Sequence, residues 1–452
     1  MTPQRVAEIT GGKYVGHDKW RDTRIDGAVR DDRDVEPRNL FVCIKGQRAD
    51  GHDFANRAYS AGAVCCLAER EIKDAAGAYV LVPDTLKAIM SLSSEYRKFF
   101  DIPFIGITGS VGKTTGKEMI ASVLSAKYNV AKTLANLNND IGVPLTLLSI
   151  NETHEVAVVE MGINNFGDMT RLTNMVKPDI MALTKIGYAH LDNLGDLDGV
   201  FKAKTEVFPL MDAKHGIAII NGDDDYLTEY DPGMKTLKYG FAAHNDYRAE
   251  NVSVSATDNV SCDIIMPGGR RFTATIPSYG AHLVMAALAA TAVGDLMGLS
   301  ESEIARGLLS YAPVGGRANV KNTGFITLIN DSYNANPHSV RAALDSLATL
   351  CGRRVAVLGD MLDMAEYSDE LHLEVGACAL NSGVERLICH GEQARLIVKG
   401  YIEAGGSDYT HFDELDELIA ALPSLLQEKD IVLVKASRSM GFIKVAERLS
   451  VL

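Results

Sequence analysis

The chain has 452 residues, 46% of them hydrophobic and 23% charged, with a formal net charge of −14. At about 100–200 residues per domain, that length predicts two to four domains. The acidic balance argues against the basic face of a nucleic-acid binder, but a phosphorylated substrate stays open because a site can be locally positive on an acidic protein.

The opening Met1–Thr10 carries Arg5 and Glu8 and lacks an apolar run, so no signal peptide is expected. Residues 1–99 form a first segment with short β-rich runs at Asn39–Ile44 and Ala78–Val82, punctuated by the turn signals Glu36-Pro37 and Asp50-Gly51. A helical pattern at Leu86–Phe99 leads into a linker at Asp101-Ile-Pro103.

Residues 100–312 alternate strands and helices. Apolar runs fall at Phe104–Thr108, Val156–Glu160, Ile180–Thr184 and Gly216–Ile220, with a helical pattern at Lys113–Lys127. Short continuous apolar strands between helices predict a parallel sheet covered on both faces. Val252–Ile276 reads as an antiparallel patch, with period-two alternation around Cys262–Met266, and a helix is expected near His282–Met297. Its apolar core, Leu283–Val293, is too short to span a bilayer, which needs about 20 residues. A buried helix is the better reading.

A connector at Pro313–Gly316 opens the third segment, residues 313–452. Strands at Ile326–Asn330, Val355–Gly359, Arg386–Cys389 and Ile431–Val434, with helices between, predict a second, Rossmann-like doubly wound α/β domain. No repeat or low-complexity tract stands out. The seven cysteines, Cys43, Cys65, Cys66, Cys262, Cys351, Cys378 and Cys389, form no C-x-x-C pair. Buried free thiols and a reducing cytoplasm are expected.

The strongest local signal is the run from Phe104 to Thr115, an apolar strand entering a loop that holds Gly109, Ser110, Val111 and Gly112, with Lys113, Thr114 and Thr115 opening a helix. Glycines let the backbone curl so that successive amides face an anion, and the helix N-terminus adds partial positive charge. Lys113 suits the β- and γ-phosphates of ATP, and the Thr114 hydroxyl suits Mg2+. A strict P-loop has glycine five positions before Gly112; that position is Ile107, so the loop is a shorter variant.

Three further residues fall in the layer beyond the carboxyl ends of the strands, where ligands bind in open α/β sheets. Glu160 ends an apolar strand, His190 lies in Ala189-His-Leu-Asp192, and Lys204 lies in Lys202-Ala-Lys-Thr-Glu206. Taken singly, each also fits an ordinary strand-end charge, a structural histidine or a solvated lysine.

The chain resembles the Mur ligase family over nearly its whole length. The likeness is carried by Thr108-Gly-Ser-Val-Gly-Lys-Thr-Thr115, Thr133 with the stretch Asn136–Leu148, Val159-Glu-Met-Gly162, His190-Leu-Asp192, Ala203-Lys-Thr-Glu206, Gly315-Gly-Arg317, the run Asn330–Pro337, Val357-Leu-Gly-Asp-Met361 and Val434-Lys-Ala-Ser-Arg438. Departures from the family pattern stand at Lys185 and Ala286, where asparagine is frequent, and at Asp31-Asp-Arg33, where the central residue is usually serine.

The resemblance implies three domains: residues 1–99 binding a UDP-sugar-peptide, residues 100–312 binding ATP, and residues 313–452 closing over it about a hinge at Pro313–Gly316. It implies a monomeric, cytoplasmic, ATP-dependent amide ligase that acts through an acyl phosphate on UDP-N-acetylmuramoyl-tripeptide and D-alanyl-D-alanine, without nucleic acid or membrane insertion. Thr114, Glu160, His190 and a carbamylated Lys204 would hold magnesium. Arg317, Asp331, Asn334, Asn336 and His282 would lie near the nucleotide, although Arg317 also fits a linker salt bridge and Asp331 a helix cap. A sibling Mur-type or folylpolyglutamate-type ligase, or a nucleotide-binding regulatory protein without ligase activity, are the alternatives.

Overall fold

The computed structural model describes residues 1–46, 49–254 and 259–452. Three consecutive α/β domains each carry one sheet. In the first, the strands run in the order Lys13–Val15, Ala78–Leu81, Cys65–Ala68, Asn39–Val42, Gly27–Val29, with only the first pair antiparallel. Its central strands Asn39–Val42 and Cys65–Ala68 are buried at every position, as expected of parallel strands covered on both faces.

One face is covered by the helices Pro3–Thr10 and Thr85–Arg97. The same core includes Leu145 and Leu148. They belong to the helix Gly142–Leu148, seven residues that are all buried. Sequence from the second segment thus completes the first domain's interior. Tyr96 Oη donates to Ile150 O at 2.9 Å, and Arg97 Nε donates to Val176 O at 2.9 Å.

The central sheet has nine strands, and its parallel heart is the row Ile217–Asn221, Ile180–Leu183, Phe104–Thr108, Val156–Glu160. The predicted apolar runs become these strands because each is short, nearly continuous and walled by helices. Val130–Lys132 forms one edge. At the other end, Tyr247–Val254, Val260–Ile265 and Arg271–Ile276 pair antiparallel, and burial alternates along Val260–Ile265 as the period-two pattern predicts. Residues 255–258 of that patch lie outside the described residues. The helix Leu283–Leu296 is largely buried and packs with Lys113–Leu124 in one core. Among the described residues no helix is long and apolar enough to cross a membrane.

The third sheet runs Asn319–Asn322, Thr327–Asn330, Ile431–Lys435, Arg354–Gly359, Arg386–His390, Tyr409–Phe412, antiparallel only at the first pair. Separate apolar clusters fill its two faces, so the doubly wound expectation holds. The expectation for the thiols needs correction. All seven are free, but Cys351 is exposed and Cys378 only half-buried. Cys351 lies in the loop before Arg354–Gly359, and such connections run over the surface.

Candidate active site

Phe104–Thr108 is fully buried between Val156–Glu160 and Ile180–Leu183, so the loop that follows it emerges at the centre of the sheet's carboxyl edge. Gly109 has φ +148°, and a Cβ there would come within 1.9 Å of Thr184 Oγ1. Gly112 caps the next helix with φ +82°. Neighbouring chain clamps the loop from behind. Ser110 N donates to Lys185 O at 2.7 Å, Gly187 N to Ser110 Oγ at 3.0 Å, and Thr184 Oγ1 to Val111 O at 2.6 Å.

The Ser110 amide is therefore engaged. Among the described residues no protein acceptor takes the amides of Val111, Gly112, Lys113, Thr114 and Thr115. These five point a positive helix end at the cleft, an arrangement that attracts anions. Lys113 Nζ folds back onto Gly109 O at 2.6 Å. Burial holds this ammonium below its usual range; the Glu160 carboxylate opposes the shift and Arg317 adds to it.

Glu160, 1% exposed, accepts from Thr114 Oγ1 at 3.0 Å and from Asn138 Nδ2 at 2.8 Å, both on Oε1. Its Oε2 is buried without a hydrogen-bond partner. A buried carboxylate oxygen left bare beside a threonine hydroxyl is a hard oxygen donor of the kind magnesium takes, so the residues present fit that ion. Glu160 N is fixed by Thr133 Oγ1 at 3.0 Å.

His190 adopts the left-handed region, φ 56°, where it opens the helix Leu191–Leu194. Burial, then the charges of Lys113 and Lys204, push its pKa down to about 4. Lys204, 1% exposed, is driven well below the ordinary lysine range by burial and then by Lys113. Lys113 thus has Glu160, His190 and Lys204 within its electrostatic reach. Among the described residues no three His, Cys, Asp or Glu side chains cluster closely enough to hold a metal.

Among the expected third-domain residues, Arg317 acts on the Lys113 ammonium, while Asp331, Asn334 and Asn336 bond within their own domain. The Arg317 guanidinium stacks 3.8 Å over the Tyr333 ring and forms no salt bridge among the described residues. Asp331 accepts from Ala318 N at 3.2 Å and from the Lys435 ammonium. Lys435 also donates to Asn334 O at 2.9 Å, and Arg438 N to Asn334 Oδ1 at 3.3 Å. The helix cap in this run is Asn336, not Asp331: its Oδ1 takes the Ser339 amide at 2.9 Å at the start of Pro337–Ala348. His282 reaches across to the same helix, with Nδ1 3.4 Å from Ser346 Oγ.

Asn138 and Lys117, both beside Glu160, are not among the residues expected there from the sequence. Asn138 lies inside the quoted stretch Asn136–Leu148, which is the signal that leads to it. Lys117 had none, since a lysine on a helix ordinarily reads as solvated. Two of the departures are accommodated. Lys185 Nζ sits 3.7 Å from the buried Asp224, and Asp32 pairs with Arg57 at 3.0 Å.

Known proteins bear on this geometry. Family models described as "Mur ligase family, catalytic domain", "Mur ligase middle domain" and "Mur ligase, glutamate ligase domain" match residues 24–96, 107–294 and 316–438. The UDP-N-acetylmuramoyl-tripeptide–D-alanyl-D-alanine ligase of Bacillus subtilis is 35% identical, covering 99% of this chain and 98% of the relative. Its Escherichia coli counterpart is 33% identical over the same shares. Among solved structures, MurF from Acinetobacter baumannii superposes with TM-score 0.87 at 29% identity over 99% of this chain and 98% of that one. MurF from Thermotoga maritima in complex with ADP gives 0.81 at 27% identity over 94% and 97%. Sequence, fold and the order of the three matched regions agree, and the chain belongs to the Mur ligase family.

Proposed function

We propose that the protein uses ATP to join D-alanyl-D-alanine to UDP-N-acetylmuramoyl-tripeptide in peptidoglycan precursor synthesis, acting as a cytoplasmic monomer. The observation that carries this reading is the bare Glu160 Oε2 beside Thr114 and a loop of free amides, faced across the cleft by Arg317. Full-length likeness to relatives bearing that name supports the choice of substrates.

A carboxylate is a poor electrophile and its oxygen a poor leaving group. The terminal carboxylate of the tripeptide attacks the γ-phosphorus of ATP, and ADP leaves. The dipeptide amine then attacks the acyl carbon of the acyl phosphate, a tetrahedral adduct forms, and phosphate departs as the amide closes and the amine loses a proton. Phosphoryl transfer of this kind depends on positioning and charge neutralisation.

The amides of residues 111–115 cradle the triphosphate and Lys113 releases its loop carbonyl to meet it. Arg317 and Asp331, with Asn334, Asn336 and His282 nearby, close on the nucleotide from the C-terminal side. Thr114 and Glu160 would hold magnesium, which would supply charge neutralisation at the phosphoryl group. Neutral His190 and Lys204 stand ready as further ligands. The depressed Lys204 amine carries the free lone pair that attack on carbon dioxide needs, and the resulting carbamate would be an anionic oxygen ligand. In this reading residues 1–99 hold the UDP-sugar-peptide, 100–312 the ATP, and 313–452 the lid, with Pro313–Gly316 as hinge. Closure excludes water and protects the acyl phosphate.

ADP release measured with matched sugar-tripeptides and a panel of D-dipeptides tests the reading. Full turnover requires both partners, and Lys113→Ala loses about 100-fold or more, as with other anion clamps. Absence of any amide product with every dipeptide, or near-normal turnover in Lys113→Ala, would sink it.

A further inference from the structure

Lys117 is wholly buried, on the helix that follows the phosphate loop. A buried ammonium is costly without partners, and this one has four oxygens in view. Its Nζ donates to Thr133 O at 2.7 Å and to Ala135 O at 2.9 Å. It lies 2.8 Å from Glu118 Oε1 and 3.8 Å from Glu160 Oε2. An ammonium has three donors. Two go to carbonyls, which leaves one N–H for two carboxylates. Glu118 Oε1 is much the nearer of the two, an ion-pair partner at 2.8 Å, and the other Glu118 oxygen is gripped by Lys132 from the solvent side. Glu160 Oε2, next in line, stays bare.

We propose that Glu118 and Lys117 are positioning residues for cation binding: Glu118 draws the Lys117 ammonium aside so that the second oxygen of Glu160 is kept open for a divalent ion. This rests on the reading of Glu160 as a metal ligand. An ordinary buried ion pair would account for Lys117 and Glu118 alone. It would not account for a second buried carboxylate left half-unpartnered 3.8 Å from the same ammonium. The carbonyls that take the other two N–H bonds flank Leu134, and Thr133 Oγ1 in turn accepts the Glu160 amide at 3.0 Å. The same lysine therefore fixes the backbone on which Glu160 hangs.

The test is Mn2+ binding to the full-length protein in the presence of ATP, followed by electron paramagnetic resonance. In Glu118→Met the freed N–H turns to Glu160 Oε2, and the Mn2+ dissociation constant rises about tenfold, the size of one charge-assisted hydrogen bond. Adding Lys117→Met removes the competing donor and recovers part of that loss, the remainder reflecting the backbone that Lys117 holds. Unchanged affinity in folded Glu118→Met, or a loss of which the folded double variant recovers nothing, overturns the proposal. Should circular dichroism show the double variant unfolded, Glu118→Gln decides: its weaker acceptor gives a smaller rise in the same direction, and no rise overturns the proposal. A wild-type protein that binds no Mn2+ with ATP removes the metal reading itself, which separates the two failures.

Discussion

His190 and His338 are held neutral in the folded protein, each with a pKa of about 4 against an ordinary 6.5. Burial is the main cause in both, followed by Lys113 and Lys204 for His190 and by Lys185 and Arg341 for His338. Between those values the unfolded chain binds more protons than the folded one, so stability increases with pH across the window. It is fully present above about pH 6.5 and declines as pH falls towards 4. Urea midpoints measured from pH 7 to 4 are expected to fall, and His190→Gln with His338→Gln should flatten the decline; an undiminished slope in the double variant would assign it to other groups. At this scale the sequence was uneven. Glu160, His190 and Lys204 stand out as candidates because motif order and strand ends single them out. Lys117 and Glu118 do not, because their meaning lies in distances of 2.8 and 3.8 Å to chain segments brought together only by folding.

The strand–loop–helix unit at Phe104–Leu124 was the most readable element, since a buried apolar run, two glycines and a Lys-Thr pair leave few alternatives. Its glycines differ in what they tolerate. At Gly112 a Cβ would meet nothing within 4 Å, and only the positive φ resists substitution. At Gly109 the backbone conformation and the 1.9 Å approach to Thr184 Oγ1 both forbid a side chain. Gly109→Ala is therefore expected to abolish ATP binding by calorimetry at saturating magnesium, while Gly112→Ala weakens it less; equal affinities would show that the clamp by Thr184 is dispensable. The short strands Val130–Lys132, Lys13–Val15 and Gly27–Val29 escaped detection. Three residues are too few for a periodic signal, and sheet neighbours from distant sequence complete them. The Asn336 cap was likewise hidden behind its motif. Its preceding position to Pro337 is a helix-start signature, yet the motif drew attention to Asp331.

The central and C-terminal domains meet just behind the phosphate loop. Leu191 N donates to Asp363 O at 3.1 Å, Ala365 N to Asp192 Oδ1 at 3.2 Å, and the Tyr188 and His338 rings stack 5.7 Å apart. Gly187, whose amide holds Ser110, faces the same imidazole: a Cβ there would come within 2.5 Å of His338 Cδ2. Gly187→Ala should cost about 1–3 kcal/mol, as overpacking generally does, and His338→Ala in the same chain should return most of it. Urea unfolding of the two variants measures this, and equal losses would place the clash elsewhere. The doubly wound third domain and the three-sheet plan were legible from alternating element types. The partition of cores was not, because no local pattern marks Leu145 and Leu148 as belonging to the sheet that precedes them in the sequence. That borrowed helix sets an order of events during synthesis. When the ribosome has released only the opening sheet, one wall of its interior is still missing, and the nascent segment carries an uncovered oily face until Gly142–Leu148 has emerged and docked.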